Sequence, residues 1–292
     1  MNPRPAAAAA TAAALTLTLT LTLTACSSSS TATDTSASGH GSGVTVSHIH
    51  GLGLDPSDQR LYVATHEGIY TPDAKGKPTL VGDSKDDFMG FTVAGKKTFY
   101  ASGHPTSGGN KGLIKSTDAG RTWTSLSLSG ESDFHALEYA HGTVYGYDST
   151  NGLLRTSEDG TTWKDGAALK ALDITVSPQD SGLLLATTGE GVARSTDGGK
   201  TFTAGRQPVM AFLSWPAQHE LYGIDTAGGL HRSSDGGSTW KKQSTVAGGQ
   251  PQALTAVSAQ HVLAATQSGV YESKDGGRTF TRRLDVEASG GH

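Results

Sequence analysis

The chain has 292 residues, and its 23 Lys and Arg against 27 Asp and Glu give a net charge of −4. That balance offers no basic surface of the kind nucleic acid needs. The single cysteine, Cys26, excludes internal disulfides, cysteine–zinc knuckles and iron–sulfur clusters. In chain order, Arg4 is the lone charge before an apolar run of Ala, Thr and Leu from Ala6 to Ala25. A positive charge followed by an apolar core reads as an export signal over residues 1–25. No later stretch is long and apolar enough to span a bilayer. Residues 26–43 are mostly Ser, Thr, Gly and Ala; they cannot bury enough apolar surface to fold and read as a disordered tether.

The apolar run ends in Leu23-Thr24-Ala25-Cys26, which resembles the lipobox of bacterial lipoproteins. The resemblance implies cleavage before Cys26, diacylation of its thiol, and anchorage to the outer face of the cell membrane through two acyl chains, which hold far better than one. The alternative is an ordinary signal peptide with a chance cysteine.

Beyond the tether one phrase recurs: Ser116 to Trp123, Thr156 to Trp163, Ser195 to Phe202, Ser233 to Trp240 and Ser273 to Phe280. Its closing aromatics fall at positions 123, 163, 202, 240 and 280, a period of 38 to 40 residues. A worn sixth copy starts at Thr71-Pro72-Asp73. Each repeat holds four short apolar runs, as in Ile49–Leu54, Leu61–Thr65, Gly68–Thr71 and Pro78–Val81. Four strands in about 40 residues make one blade of a propeller. The expected fold is therefore all-β, a six-bladed β-propeller over residues 44–288, with a flexible tail at 289–292.

The phrase resembles the Asp box (BNR repeat) of the sialidase-like propeller superfamily, over roughly residues 44–286. Gly permits positive φ in the hairpin turn, the Asp carboxylate can accept backbone N–H groups, and the aromatic can pack between sheets. In that family the boxes lie away from the active site, which implies a structural role for their carboxylates.

The innermost strand of each blade lines the channel. Aligned by apolar alternation, these strands place His50, Met89, His135, Leu172, Met210 and Gln252 in one column near the mouth. Two residues earlier, on the same side of the strand, come His48, Asp87 and Asp133. The ends of the second strands add His66 and His104. Imidazole with thioether and no thiolate suits copper; imidazole with carboxylate suits zinc, the second choice. His48, His50, His66, Met89, His104, His135 and Met210 are thus the candidate metal ligands, with Asp87 and Asp133 able to orient imidazoles. The remaining histidines, His40, His141, His219, His231, His261 and His292, read as structural or surface groups. The Pro105–Lys111 segment lengthens the loop beside His104, as a lid or as plain length variation.

Two other readings stay open. Asp87 and Asp133 are the candidate catalytic pair of a glycosyl hydrolase. Sialidase activity itself is not expected: the arginines lie in boxes and outer strands, Arg206 alone could approach the mouth, and His48-Ile49-His50 stands where that family carries Arg-x-Pro. The third reading is a non-catalytic protein-binding scaffold. The expected ligand is accordingly a metal ion or a glycan, with a protein partner unspecified.

Overall fold

The structure, a computed structural model, describes residues 46–286. The export signal, the tether with Cys26, His40, and the tail with His292 lie outside the described residues. Six antiparallel sheets follow one another along the chain. The first blade is β1 (Ile49–Leu54), β2 (Leu61–Thr65), β3 (Gly68–Pro72) and β4 (Pro78–Leu80). The second is β5 (Asp87–Gly95), β6 (Thr98–His104), β7 (Leu113–Ser116) and β8 (Thr124–Ser127). The third is β9 (Phe134–Ala140), β10 (Thr143–Asp148), β11 (Leu153–Ser157) and β12 (Lys164–Ala168). The fourth holds β13 (Ile174–Val176), β14 (Leu184–Thr188) and β15 (Gly191–Ser195). The fifth is β16 (Met210–Ala217), β17 (Glu220–Asp225), β18 (Gly229–Ser233) and β19 (Lys241–Thr245); the sixth is β20 (Pro251–Ala256), β21 (Val262–Thr266), β22 (Gly269–Ser273) and β23 (Thr281–Asp285). The chain is a six-bladed β-propeller, as its repeats predict. No helix among the described residues is long and apolar enough to cross a membrane.

Blade four departs from the four-strand pattern at its outer edge. There the returning segment meets β15 through the Val192–Arg206 bridge, with backbone bonds of 2.9 and 3.0 Å. The segment Ala204-Gly205-Arg206-Gln207-Pro208 explains this: it has no apolar alternation, and Pro208 has no N–H to give a ladder. Arg206 is exposed on that outer edge.

The repeated phrase builds the same turn in four of its five copies; in blade three Ser157 and Asp159 sit one residue later, and Asp159 Oδ1 accepts the Thr161 and Thr162 N–H groups instead. Ser116 Oγ accepts the Gly120 N–H at 2.8 Å and donates to Asp118 Oδ1, also at 2.8 Å. Asp118 in turn accepts the Thr122 N–H at 2.9 Å and its hydroxyl at 2.6 Å. Asp197, Asp235 and Asp275 repeat these bonds with Thr201, Thr239 and Thr279. The side-chain and backbone bonds from Thr201 hold the Asp197 carboxyl at about 2, below the ordinary carboxylate range. The boxes' carboxylates are therefore spent within the turn. The closing aromatics reach inward: Trp123 lies 5.2 Å from Phe88, and Trp163 stacks on Phe134 at 4.8 Å.

The sequence leaves the closure of the ring open; the structure closes it without sharing a strand. Each end blade is made of contiguous chain. The junction between them is a buried cluster that includes Val46, Leu52, Leu263 and Val286. Two hydrogen bonds cross it, Ile49 N–H to Gln252 Oε1 at 3.2 Å and Thr255 Oγ1 to Leu52 O at 2.8 Å.

Candidate metal centre

The inner strands share a device that the alternation pattern does not reveal. Near its start each carries a β-bulge, so two residues oppose one on the second strand. Register breaks at Ile49/Gly51, Phe88/Gly90, Met210/Phe212 and Pro251/Ala253, and in blade three opposite Tyr147/Asp148. In blade four, Leu172 N–H donates to Thr187 O while Thr187 N–H donates to Asp173 O. A bulge re-aims a side chain without ending the strand. The first residue of the pair turns into the core in four blades: Ile49, Phe88 and Phe134 are fully buried and Met210 is 2% exposed. The second forms the column at the mouth: His50, Met89, His135, Asp173, Ala211 and Gln252.

Five histidines and two aspartates converge there from blades one to three. His48, His50 and His66 each present a ring nitrogen, and these three atoms lie within 4.8 Å of one another. The His48 and His50 rings stack at 4.6 Å, and His66 stands edge-on to His50 at 4.4 Å. His50 Nε2 is 3.3 Å from both ring nitrogens of His66. Asp87, from the next blade, places Oδ2 3.0 Å from His66 Nδ1 and Oδ1 3.9 Å from His50 Nε2. A tetrahedral ion with bonds of 2.0–2.1 Å has ligand–ligand edges of about 3.3 Å; the His50–His66 pair matches that edge at 3.3 Å, while the trio as a whole lies within 4.8 Å.

The protonation states agree. Burial, then the neighbouring His66, His48 and His135, push His50 down to about 3; burial and His66 lower His48 as well. Neutral imidazole is the ligating form. Beside this trio, Asp133 Oδ2 lies 2.6 Å from His135 Nε2 and 3.3 Å from His104 Nε2. Burial works against the charge on Asp133. The hydrogen bond from His135 and the charges of His135 and His104 nevertheless hold it below the ordinary carboxylate range.

Of the sequence candidates, His48, His50, His66, His104, His135, Asp87 and Asp133 come together. Met89 takes the bulge position between His50 and His135 and is half-buried. Met210 is a correction: it packs with Leu185, Val192, Leu213, Trp215 and Leu221, away from the mouth. Counting back two residues from Phe212 overlooks the bulge and lands one residue early, on the core-facing member of the pair. The same slip put Leu172 in the column in place of Asp173. Arg206 is likewise absent from the mouth. His141, His219, His231 and His261 hydrogen-bond Ser177 O, Ser234 O, Asp225 and Glu272, as structural groups do.

Two functional-looking residues escape the sequence reading. Below His50 and His135 the channel opens into a cavity of about 430 Å³ lined also by Glu138 and Asp173. Burial, then the charge of Asp173, raise Glu138 to about 8; burial raises Asp173 to about 7 although Leu213 N–H donates to its Oδ2 at 2.7 Å. Anchoring blade four on Thr187 of the second strand, with a bulge allowed, would have found Asp173.

Comparison with known proteins supports the fold and goes no further. No protein-family model matches the chain, and no curated protein matches it. Solved structures do. A protein of the nidogen/laminin complex aligns over 77% of this chain and 93% of its own, with TM-score 0.61 and 14% identity. YCF48 bound to D1 peptide aligns over 80% and 94%, with TM-score 0.57 and 14% identity. An ancestral GH74 enzyme aligns over 82% of this chain with TM-score 0.54 and 12% identity; the match spans 38% of that enzyme's length.

Proposed function

We propose that this protein is an exported, lipid-anchored propeller that captures a transition-metal ion at its channel mouth through His48, His50 and His66, with Asp87 holding His66 in place. The observation that carries the proposal is the convergence of three imidazoles within 4.8 Å while burial and mutual repulsion keep His50 and His48 ready to ligate. With Met210 in the core, the soft-ligand argument for copper narrows to Met89. An imidazole–carboxylate set takes Cu(II) or Zn(II), and Cu(II) more tightly by the general order of divalent affinities. Anchorage through Cys26 would keep the site outside the cell membrane.

The glycosyl-hydrolase alternative has the GH74 likeness in its favour. Its candidate carboxylates, Asp87 and Asp133, already face imidazoles, which favours the metal reading. The test is titration of the full chain with Cu(II), Zn(II) and Cu(I), with His50→Ala/His66→Ala as control. Stoichiometric binding lost in the double variant supports the proposal. Absence of binding, or binding that the variant retains in full, rejects it.

A further inference from the structure

The imidazole trio draws on two stretches of chain that differ in how firmly they are built. His66 belongs to the two-residue turn His66-Glu67 that joins β2 to β3, between the paired residues Thr65 and Gly68. Thr65 is fully buried, and its Oγ1 accepts the Glu67 N–H at 3.1 Å and donates to Gly68 O at 2.9 Å. One hydroxyl thus closes the turn from both sides. His48 has no such frame. It precedes β1, and the ladder with β2 begins only at Ile49, opposite Thr65, so sheet pairing does not fix it.

What fixes His48 is the other residue of the turn. Glu67 reaches back to Ser47, the residue before His48: its Oε1 accepts the Ser47 hydroxyl at 2.5 Å and its Oε2 accepts the Ser47 N–H at 3.4 Å. Both carboxylate oxygens are therefore used on one residue. On the other side of His48, the Ile49 N–H donates to Gln252 Oε1 at 3.2 Å. His48 is held through its two neighbours, one tied to the turn that carries His66 and one tied to blade six.

Blade four carries the same turn without this clamp. Thr188 pairs with Gly191, and its Oγ1 again accepts the N–H of the second turn residue, Glu190, at 3.3 Å and donates to Gly191 O at 2.8 Å. Glu190 stands where Glu67 does, but Gly189 stands in place of His66. Glu190 is exposed, and Gln207 bonds its backbone carbonyl rather than its carboxylate. The turn itself thus forms without a bond from this glutamate side chain. Of the two turns, the one that carries an imidazole is the one whose carboxylate ties it to the incoming chain.

We infer that Glu67 is a positioning residue of the metal centre: by clamping Ser47 it presets His48 against His50 and His66, so that an ion meets three imidazoles already gathered. This rests on the proposed function of the trio and adds to it a residue that does not itself touch the ion. Without the clamp, the stretch ahead of β1 must be ordered as the ion binds, and that ordering weakens binding. Supporting groups of this kind are worth about 10- to 100-fold in metal affinity.

The experiment is a double-mutant cycle on the full chain, read as affinity for Zn(II) and, separately, Cu(II) by competition with a chelator dye. The proteins are the wild type, Glu67→Ala, His48→Ala and the double variant, with Glu67→Gln as the conservative replacement and thermal melting to show that each is folded. Glu67→Ala should bind about 10-fold or more weakly, and Glu67→Gln, which keeps an acceptor for the Ser47 hydroxyl, should recover most of the loss. In the His48→Ala background, Glu67→Ala should cost nothing further, because its effect runs through that imidazole. Equal losses in both backgrounds would assign Glu67 to the turn or to His66 and overturn the inference, as would unchanged binding by Glu67→Ala. Either of these results leaves the metal centre standing. A wild type that binds neither ion removes the metal reading and this one with it.

Discussion

Replacing Glu138 with Gln should make the protein more stable in alkaline solution and leave it unchanged in acid. Glu138 lines the channel cavity, where burial and the charge of Asp173 raise its carboxyl from 4.5 to about 8. The folded state therefore holds this proton more tightly than the unfolded chain does. Between about pH 4.5 and 8 the unfolded chain releases the proton first, so stability falls as pH rises through that window. A shift of 3.5 units at about 1.36 kcal/mol each sets a ceiling of about 5 kcal/mol, reached only at pH 8 and above. The side chain keeps partial contact with the lumen, and Asp173 titrates beside it, so screening and coupling reduce this to about 2 kcal/mol. Gln keeps the shape and has no proton to lose. For a domain of this size 2 kcal/mol corresponds to roughly 4–8 °C in Tm. The assay is thermal unfolding of wild type and Glu138→Gln at half-unit steps from pH 5 to 9. The curves should coincide near pH 5 and separate by several degrees at pH 8, with the variant on top. Parallel curves across the range would refute the argument that this carboxyl is protonated at neutral pH.

Three further outcomes follow from local geometry. Asp87→Asn removes the anion that orients His66 and should weaken Zn(II) binding by about 10- to 100-fold, read by competition with a chelator dye, with little change in melting. Gly103→Ala should lower stability by roughly 2–4 kcal/mol or prevent soluble expression: Gly103 has φ +145°, and a Cβ there would sit on the Asp87 carbonyl, 1.9 Å away. Ser233→Ala leaves the Gly237 N–H of one turn without its acceptor and should cost about 1–2 kcal/mol in urea unfolding, whereas an unchanged midpoint would show the turn to be held by Asp235 alone.

The architecture was legible because the turn chemistry recurs. Ser, Asp, Gly and Thr at fixed offsets can satisfy one another in only a few ways, and five copies at one period leave little choice of fold. The histidines of blades one to three were legible for a related reason. Strand starts and ends repeat at the same place in each blade, so chemistry written at those positions gathers at one mouth. The register of blades four and five was not legible. An inserted bulge residue leaves apolar alternation intact on the far side, and Met210 and Ala211 compete for the column on equal terms until packing decides that the thioether fills the core. Glu138 and Asp173 were hidden differently: each is an ordinary acid in sequence, and only the curvature of the ring brings blades three and four close enough to couple them. Closure of the ring likewise depends on side chains that bond backbone groups 203 positions away in the chain.

That closure has a mechanical consequence. Among the described residues, five of the six junctions between blades are crossed by the polypeptide itself, and the sixth is held by side chains and two hydrogen bonds. Among the described residues it is the one seam without a peptide linker, so parting it would break side-chain contacts and two hydrogen bonds but no covalent connection. His48 and His50 stand at one lip of that seam, flanking the Ile49 N–H that bonds across it, while His104 and His135 stand one and two blades away. The two halves of the mouth thus ride on unequal ground. A motion that parted this seam would meet the imidazole trio first and reach the Asp133 pair only through the intervening blade.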